Sequence, residues 1–274
     1  MANYFALHAE IRGSRIEVRG SLKQLKMRLS VFSPPLAALS LSVMMMNDVQ
    51  AVHPLVTDDT GTQDQGNSQI ELNTDHIRSA GVRSRVAAFT YTYGIRSNVD
   101  VFGNLPATLS GPSGMNDAAL GIKWRFWKNE QTSLALKPEL ILATGDESKQ
   151  LGNGRTSGAL TLLASSEHAP WTFHGNIGVQ VNNYRSAVLR DANQRLLWRV
   201  SAAAVYEVTP QVNLLADIGA SRNIEKTIRT NPAFFLVGLI YAPTKKVDVD
   251  AGLKFGLKAA EADRQFGVGI TYRF

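Results

Sequence analysis

The chain closes on a run in which every second residue is large and apolar: Phe266, Val268, Ile270, Tyr272 and Phe274, with Gly267, Gly269, Thr271 and Arg273 between them. A period of two describes a strand with one apolar face and one small or polar face. A terminal strand of this kind ending in an aromatic is how bacterial outer-membrane β-barrels end, because the last strand must seal the ring with one face in lipid. An amphipathic edge strand of a soluble β-protein shows the same alternation, so the rest of the chain has to decide.

The other end reads as a secretory signal that begins inside the sequence. Lys23, Lys26 and Arg28 form a cationic region, 29–43 a mostly apolar stretch interrupted by Pro34 and Pro35, and Val49, Gln50 and Ala51 a small-residue cleavage site. The expected organisation is an upstream extension over 1–26, a signal peptide over 27–51, a periplasmic N-terminal segment over 52–67 and a barrel over 68–274. Without residues 1–51 the chain holds 23 basic and 20 acidic residues, a net charge of +3 against +6 for the whole sequence. That small excess gives no reason to expect a nucleic-acid partner, which asks for a clustered basic face. The sequence has no cysteine. Disulfides, thiol nucleophiles, cysteine-ligated metals and lipid attachment at cysteine are therefore excluded.

From residue 52 onward the longest apolar run is 233–242, too short for a membrane-spanning helix. Strand-like segments recur instead, at 68–78, 85–95, 98–105, 117–128, 132–144, 156–166, 171–182, 195–207, 211–221, 233–242, 245–258 and 264–274. Their connections alternate in length. Tight turns fall at 94–98, 128–131, 167–170, 207–211 and 242–245, and long polar links at 106–116, 145–155, 183–194 and 222–232, with 79–84 and 259–263 shorter than the other outer links. Short turns at one end and long loops at the other are the signature of an all-β, antiparallel up-and-down transmembrane barrel of about twelve strands, in the bacterial outer membrane.

The faces agree with that reading. Within 117–128 the even positions Ala118, Leu120, Ile122, Trp124 and Phe126 are apolar while Lys123 and Arg125 are odd; within 171–182 and 245–258 the odd positions are apolar. Trp124, Trp127, Trp171, Trp198, Tyr91, Tyr93, Tyr206, Tyr241 and Tyr272 lie mostly near strand ends, as interfacial girdles require.

Several stretches are similar to a known family. His53 to Asn67 (HPLVTDDTGTQDQGN) with Ile70 to Asn73 (IELN), then TYGIRSNVDVFGNLP (92–106), MNDAALGIKWRF (115–126) and the terminal GVGITYRF resemble the outer-membrane transporters grouped under a MetA-pathway of phenol degradation. The resemblance spans nearly all of the chain after the signal and is most specific in the N-terminal motif. It implies an outer-membrane barrel that passes small organic compounds, and it brings no catalytic residues.

Projecting the polar faces inward gives the candidate lumen: Glu71, Asp75, Asp100, Lys123, Arg125, Lys137, Glu139, His174, Arg199, Glu207, Asp217, Asp248, Asp250, Lys254, Lys258 and Arg273. Both signs are represented, unlike the single-sign rings of ion-selective pores. Two readings stay open: opposed acidic and basic walls that orient a zwitterionic or weakly polar solute, or an ion-paired network that stiffens a small barrel. No catalytic, cofactor or metal site is expected. The histidines after Met27 are His53, in the segment after the signal, His76, on an outward position of the first strand, His168, in a tight turn, and His174, on a lumen face without a serine nearby in its own strand; none shows a helical metal spacing. His53 with Asp58 and Asp59 reads as a flexible acidic segment rather than a metal site. The expected function is a channel or porin-like transporter for small organic solutes, with a non-conducting structural or adhesive barrel, and more distantly a lipid-acting barrel enzyme, as alternatives. Its expected partners are outer-membrane lipid, the solute and the barrel-assembly machinery, for which Phe274 is the recognition signal through strand addition.

Overall fold

The structure, a computed structural model, describes residues 53–274. The expected signal peptide over 27–51 and upstream extension over 1–26 therefore lie outside the described residues. Strands form where branched, aromatic and small residues alternate, since this pattern fills one face of a pleat and leaves the other polar. In chain order they are β1 (Ser68–Ser79), β2 (Val82–Arg96), β3 (Val99–Thr108), β4 (Ala119–Lys128), β5 (Thr132–Ile141), β6 (Ser157–His168), β7 (Trp171–Val181), β8 (Leu196–Thr209), β9 (Val212–Ser221), β10 (Ala233–Thr244), β11 (Val247–Gly256) and β12 (Arg264–Arg273). A two-residue strand, Gly114–Met115, folds back onto the end of β3.

Each strand pairs antiparallel with its neighbour in sequence, and β1 pairs with β12 from Gln69 opposite Arg273 to Arg78 opposite Arg264. The sheet is thus a closed twelve-stranded barrel without a free edge. At the seam, Ser68 N–H donates to the Phe274 carbonyl at 2.8 Å and Phe274 N–H to the Ser68 carbonyl at 3.0 Å. Phe274 stacks on Tyr272, their rings 5.5 Å apart.

Five tight connections share the end that holds Ser68 and Phe274, the periplasmic end in barrels of this topology. The longer links cluster at the opposite end and are tied to one another. Asp117 accepts from Gly145 N–H and Asn153 N–H, each at 2.8 Å, and Gln194 N–H donates to the Ile224 carbonyl at 2.7 Å. Helix α1 (Ala187–Ala192), capped by Ser186, belongs to this cluster. The first outer link is only Ala80 and Gly81, both at positive φ (47° and 82°), so β2 begins at Val82 rather than Arg85. That pair of left-handed residues matches the twist of a two-residue hairpin, which its polar neighbours do not announce.

Outward faces are apolar. Leu72, Leu120, Ile122, Ile177, Val179, Ile218, Leu239 and Ile270 are all exposed, a pattern that only a lipid-facing wall accommodates. Phe126 and Trp127 are both exposed although adjacent, because the β4–β5 register shifts between Arg125 and Trp127. A bulge there turns two consecutive side chains outward. The tyrosines and tryptophans of the girdle gather at the periplasmic end, and only Trp198 stands toward the outer end. This one-sided belt differs from the paired girdles that the sequence suggested.

Candidate functional site: a charge-paired lumen with an internal segment

A closed ring of this size leaves an interior that its own inward side chains cannot fill, and the chain fills much of it with the stretch preceding β1. The polar sequence His53 to Gln63 has neither strand nor helix periodicity, so its backbone groups must find partners elsewhere. They find them on the inward faces. Val56 N–H and Thr57 N–H donate to Asp217 at 2.7 and 2.8 Å, and Thr57 Oγ1 donates to the other carboxylate oxygen at 2.7 Å. Thr60 N–H donates to Ser165 Oγ at 3.1 Å, and Gln63 N–H reaches both Asp100 oxygens at 3.1 Å.

The centre of the arrangement is Asp58. Lys123 Nζ donates to one oxygen at 2.9 Å and Lys137 Nζ to the other at 2.8 Å. With its amide oxygen turned toward the segment, Asn176 accepts from Asp58 N–H at 2.6 Å and donates to its carbonyl at 2.9 Å. Burial by itself would push the Asp58 carboxyl up, but Lys123 and Lys137 hold it below the ordinary carboxylate range. At the inner tip, His53 lies between Asp250 and Asp75. Burial opposes its protonation, yet the two carboxylates outweigh that and raise its pKa to about 9. His53 and Asp58 are therefore both charged at neutral pH, each against opposite charge, as buried ions must be.

Apolar contacts complete the segment. Leu55 packs with Ala203, Leu215, Phe234 and Leu236, an oily patch inside the ring. Pro54 rests on Gly238 and Gly252, where an added Cβ would stand 2.7 and 2.5 Å from the proline ring. Glycine at these positions is what lets the segment lie against the wall. Beside it, at the periplasmic end, opens a cavity of about 580 Å³ lined among others by Asp58, Glu71, Asp100, Phe102, Lys123 and Arg273.

The family model described as "Putative MetA-pathway of phenol degradation" matches residues 54–274. The chain belongs to this family. Among solved structures it is similar to an outer-membrane channel of Pseudomonas putida F1, with a TM-score of 0.63 and 15% identity over 79% of this chain and 98% of that one. The NanC porin (TM-score 0.60, 9% identity, 74% of this chain and 98% of that one) and the KdgM porin (0.56, 8%, 75% and 99%) share the fold. No curated protein matches the sequence. The protein is an outer-membrane β-barrel whose structural relatives are channels and porins.

In this family member the sequence-derived lumen residues divide by place. Lys123 and Lys137 converge on Asp58; Asp75 and Asp250 on His53; Asp100 and Asp217 on segment backbone. Arg273 pairs with Asp248 at 2.5 Å and Lys254 with Glu261 at 3.6 Å. Glu71 accepts from Gln69 at 2.7 Å, and Arg125 donates to the Ser97 carbonyl at 2.9 Å. Glu139 is buried, and Arg199 half-buried, on inward faces. Glu207 is exposed near the β8–β9 turn, on the inward-facing side of β8 at the periplasmic mouth, and Lys258 lies two residues past β11 in an outer loop, so Lys258 does not join the interior. Lys258 follows from extending the alternation past the end of β11.

Three features escaped the sequence reading. The segment expected in the periplasm makes its contacts within the ring, and its acidic cluster is held rather than flexible. The oily patch around Leu55 interrupts a lumen expected to be polar throughout. His174 Nδ1 meets Ser165 Oγ at 2.8 Å, a partner from the neighbouring strand that a search along one strand does not reach. Among the described residues no cluster of three or more acidic, histidine or cysteine side chains could hold a metal.

Proposed function

We propose that the barrel passes small organic solutes by passive diffusion, with segment 53–63 as the constriction that selects them. The observation that carries this reading is the cavity beside Asp58: it opens at the periplasmic end, it is lined by both signs of charge, and Phe102 gives it an aromatic wall. Mixed charge favours neutral or zwitterionic solutes over ions of one sign. The family's association with phenol degradation and the Phe102 ring make small aromatics the first solutes to try. Export after cleavage at Ala51 belongs to the same proposal and predicts a mature protein that begins at Val52.

One observation favours a non-conducting barrel: the segment is bonded to β3, β4, β5, β6, β9 and β11, and so fills the ring at that level. Lipid chemistry has less support. Ser165 and His174 face the lumen, away from lipid, and Thr60 N–H already occupies the serine oxygen.

Planar-bilayer recording and liposome swelling test the proposal. Small steady conductance, rising several-fold when 53–63 is deleted, supports it. Silence from both proteins would leave the structural barrel, and turnover of lipid by the pure protein would establish the enzyme.

A further inference from the structure

On the outward face, at the outer end of the seam, the sheet brings arginines into register. Arg78 of β1 lies opposite Arg83 of β2 on one side and Arg264 of β12 on the other, and two residues along, His76 lies opposite Arg85. All four arginines are exposed. Like charges directly opposite across a strand pair destabilise a sheet. No ion pair or hydrogen bond joins these guanidiniums to any described residue. Asp263, the acidic residue next to Arg264, accepts instead from Ala80 N–H at 3.1 Å.

Their height on the wall is as informative as their number. On the same face, toward the periplasm, run Leu72, Ile270, Tyr91 and Tyr272, all exposed and apolar or aromatic. From the Tyr93 level to the Arg83 level the strand advances ten residues, about 33 Å at roughly 3.3 Å each, which a tilt of about 40° reduces to about 25 Å of height, the apolar band of such barrels. The arginines therefore stand at the outer boundary of the lipid, and only the two-residue turn at Ala80 and Gly81 rises above them. Farther around the ring the outer links are longer, at 109–118, 142–156, 182–195 and 222–232. Between Arg78, Arg83 and Arg85 opens a groove of about 410 Å³, walled on one side by Ser110, whose Oγ accepts from Arg85 N–H at 2.7 Å; Arg264 stands beside it. Leu109 sits beside it, exposed, on the same edge.

We propose that this groove is a binding site for the phosphorylated diglucosamine headgroup of outer-leaflet lipopolysaccharide. Arginine's planar fork meets a phosphate with two parallel hydrogen bonds, and several forks around one groove supply the positive charge that divalent cations otherwise bring between such headgroups. The acyl chains would run down over Phe266 and, past Thr74, over Leu72, on the outward face below the cluster. The site would thus set the neighbour of the barrel at its closing seam, independently of any solute in the lumen.

Native mass spectrometry of the whole protein in detergent provides the test, with bisphosphorylated lipid A, dephosphorylated lipid A and inorganic phosphate as probes. The expected result is binding of bisphosphorylated lipid A at least tenfold tighter than of the dephosphorylated form, reduced tenfold or more in an Arg78→Gln, Arg83→Gln, Arg85→Gln triple variant. Removing facing like charges should not harm folding, and gel migration of the unheated barrel checks this. Should the variant misfold, the lipid comparison on the unaltered protein decides alone. Equal affinity for both lipids, undiminished binding by the folded variant, or inorganic phosphate displacing the lipid at similar concentration would overturn the proposal.

Discussion

The two faces of this barrel handle charge in opposite ways. Inside, Asp58, Lys123, Lys137, His53 and Asp250 come from distant parts of the chain and neutralise one another over 2.8 to 2.9 Å in the lysine contacts. Outside, Arg78, Arg83 and Arg264 share neighbouring register positions with no carboxylate among them. The difference follows from the medium. In a narrow, partly dry lumen an unpaired ion costs several kcal/mol, so the chain has to provide the partner. At the membrane boundary the partner can be water, an ion or a lipid headgroup, and the sheet need not supply it.

The strongest way to break this contrast is to remove the shared inner partner. Asp58→Asn removes the carboxylate shared by Lys123 and Lys137 while leaving Asp59 3.7 Å from Lys123, and should weaken the fold or expel the segment by about 3 kcal/mol. Protease cleavage between 53 and 67, absent from the unaltered protein in detergent and present in the variant, would report expulsion. An equally stable, equally resistant variant would mean that the lysines do not depend on Asp58.

Moving an arginine from the outer boundary to mid-wall sharpens the outward half of the comparison. Ile122 is exposed between Leu120 and Trp124 on β4, and Ile122→Arg should cost about 2–4 kcal/mol in a bilayer, against about 0–1 for a boundary position such as Arg85. Urea titration of the protein refolded into vesicles measures this. A negligible loss would show that this face does not meet hydrocarbon.

Phe274→Ser tests the seam. Full burial of a phenylalanine contributes roughly 1.5–3 kcal/mol, and Phe274 is half-exposed toward lipid, so the finished barrel should lose less than that. If the residue also serves assembly, its outer-membrane level in cells should fall further than refolded stability predicts. Normal levels with a badly destabilised refolded barrel would assign it to packing alone.

The smallest expected effect is a pH dependence at the inner tip. His53 titrates near 9 in the folded protein against about 6.5 in a free chain, so its contribution is complete below about pH 6.5 and fades as pH rises, disappearing above about 9. Conductance or segment exposure should increase modestly across that window. The change stays small because Thr57 and Asp58 remain anchored. A His53→Gln protein should show no such window, and an unchanged pH response in it would assign the titration elsewhere.

Period-two alternation, turn residues and the aromatic terminus were enough to give the architecture and the faces, since each strand's orientation is written locally in its own side chains. Lys258 falls in a loop because alternation does not mark where a strand ends. The segment at 53–63 was illegible for a different reason. Asp58 meets lysines 65 and 79 residues away, and Thr57 meets Asp217 across 160 residues, so nothing in the local pattern separates a held segment from a solvated one. The sequence alone determined a membrane barrel with a mixed-charge interior. Only ring closure, which places those distant inward faces around one narrow volume, decided that the chain's own N-terminal segment occupies it.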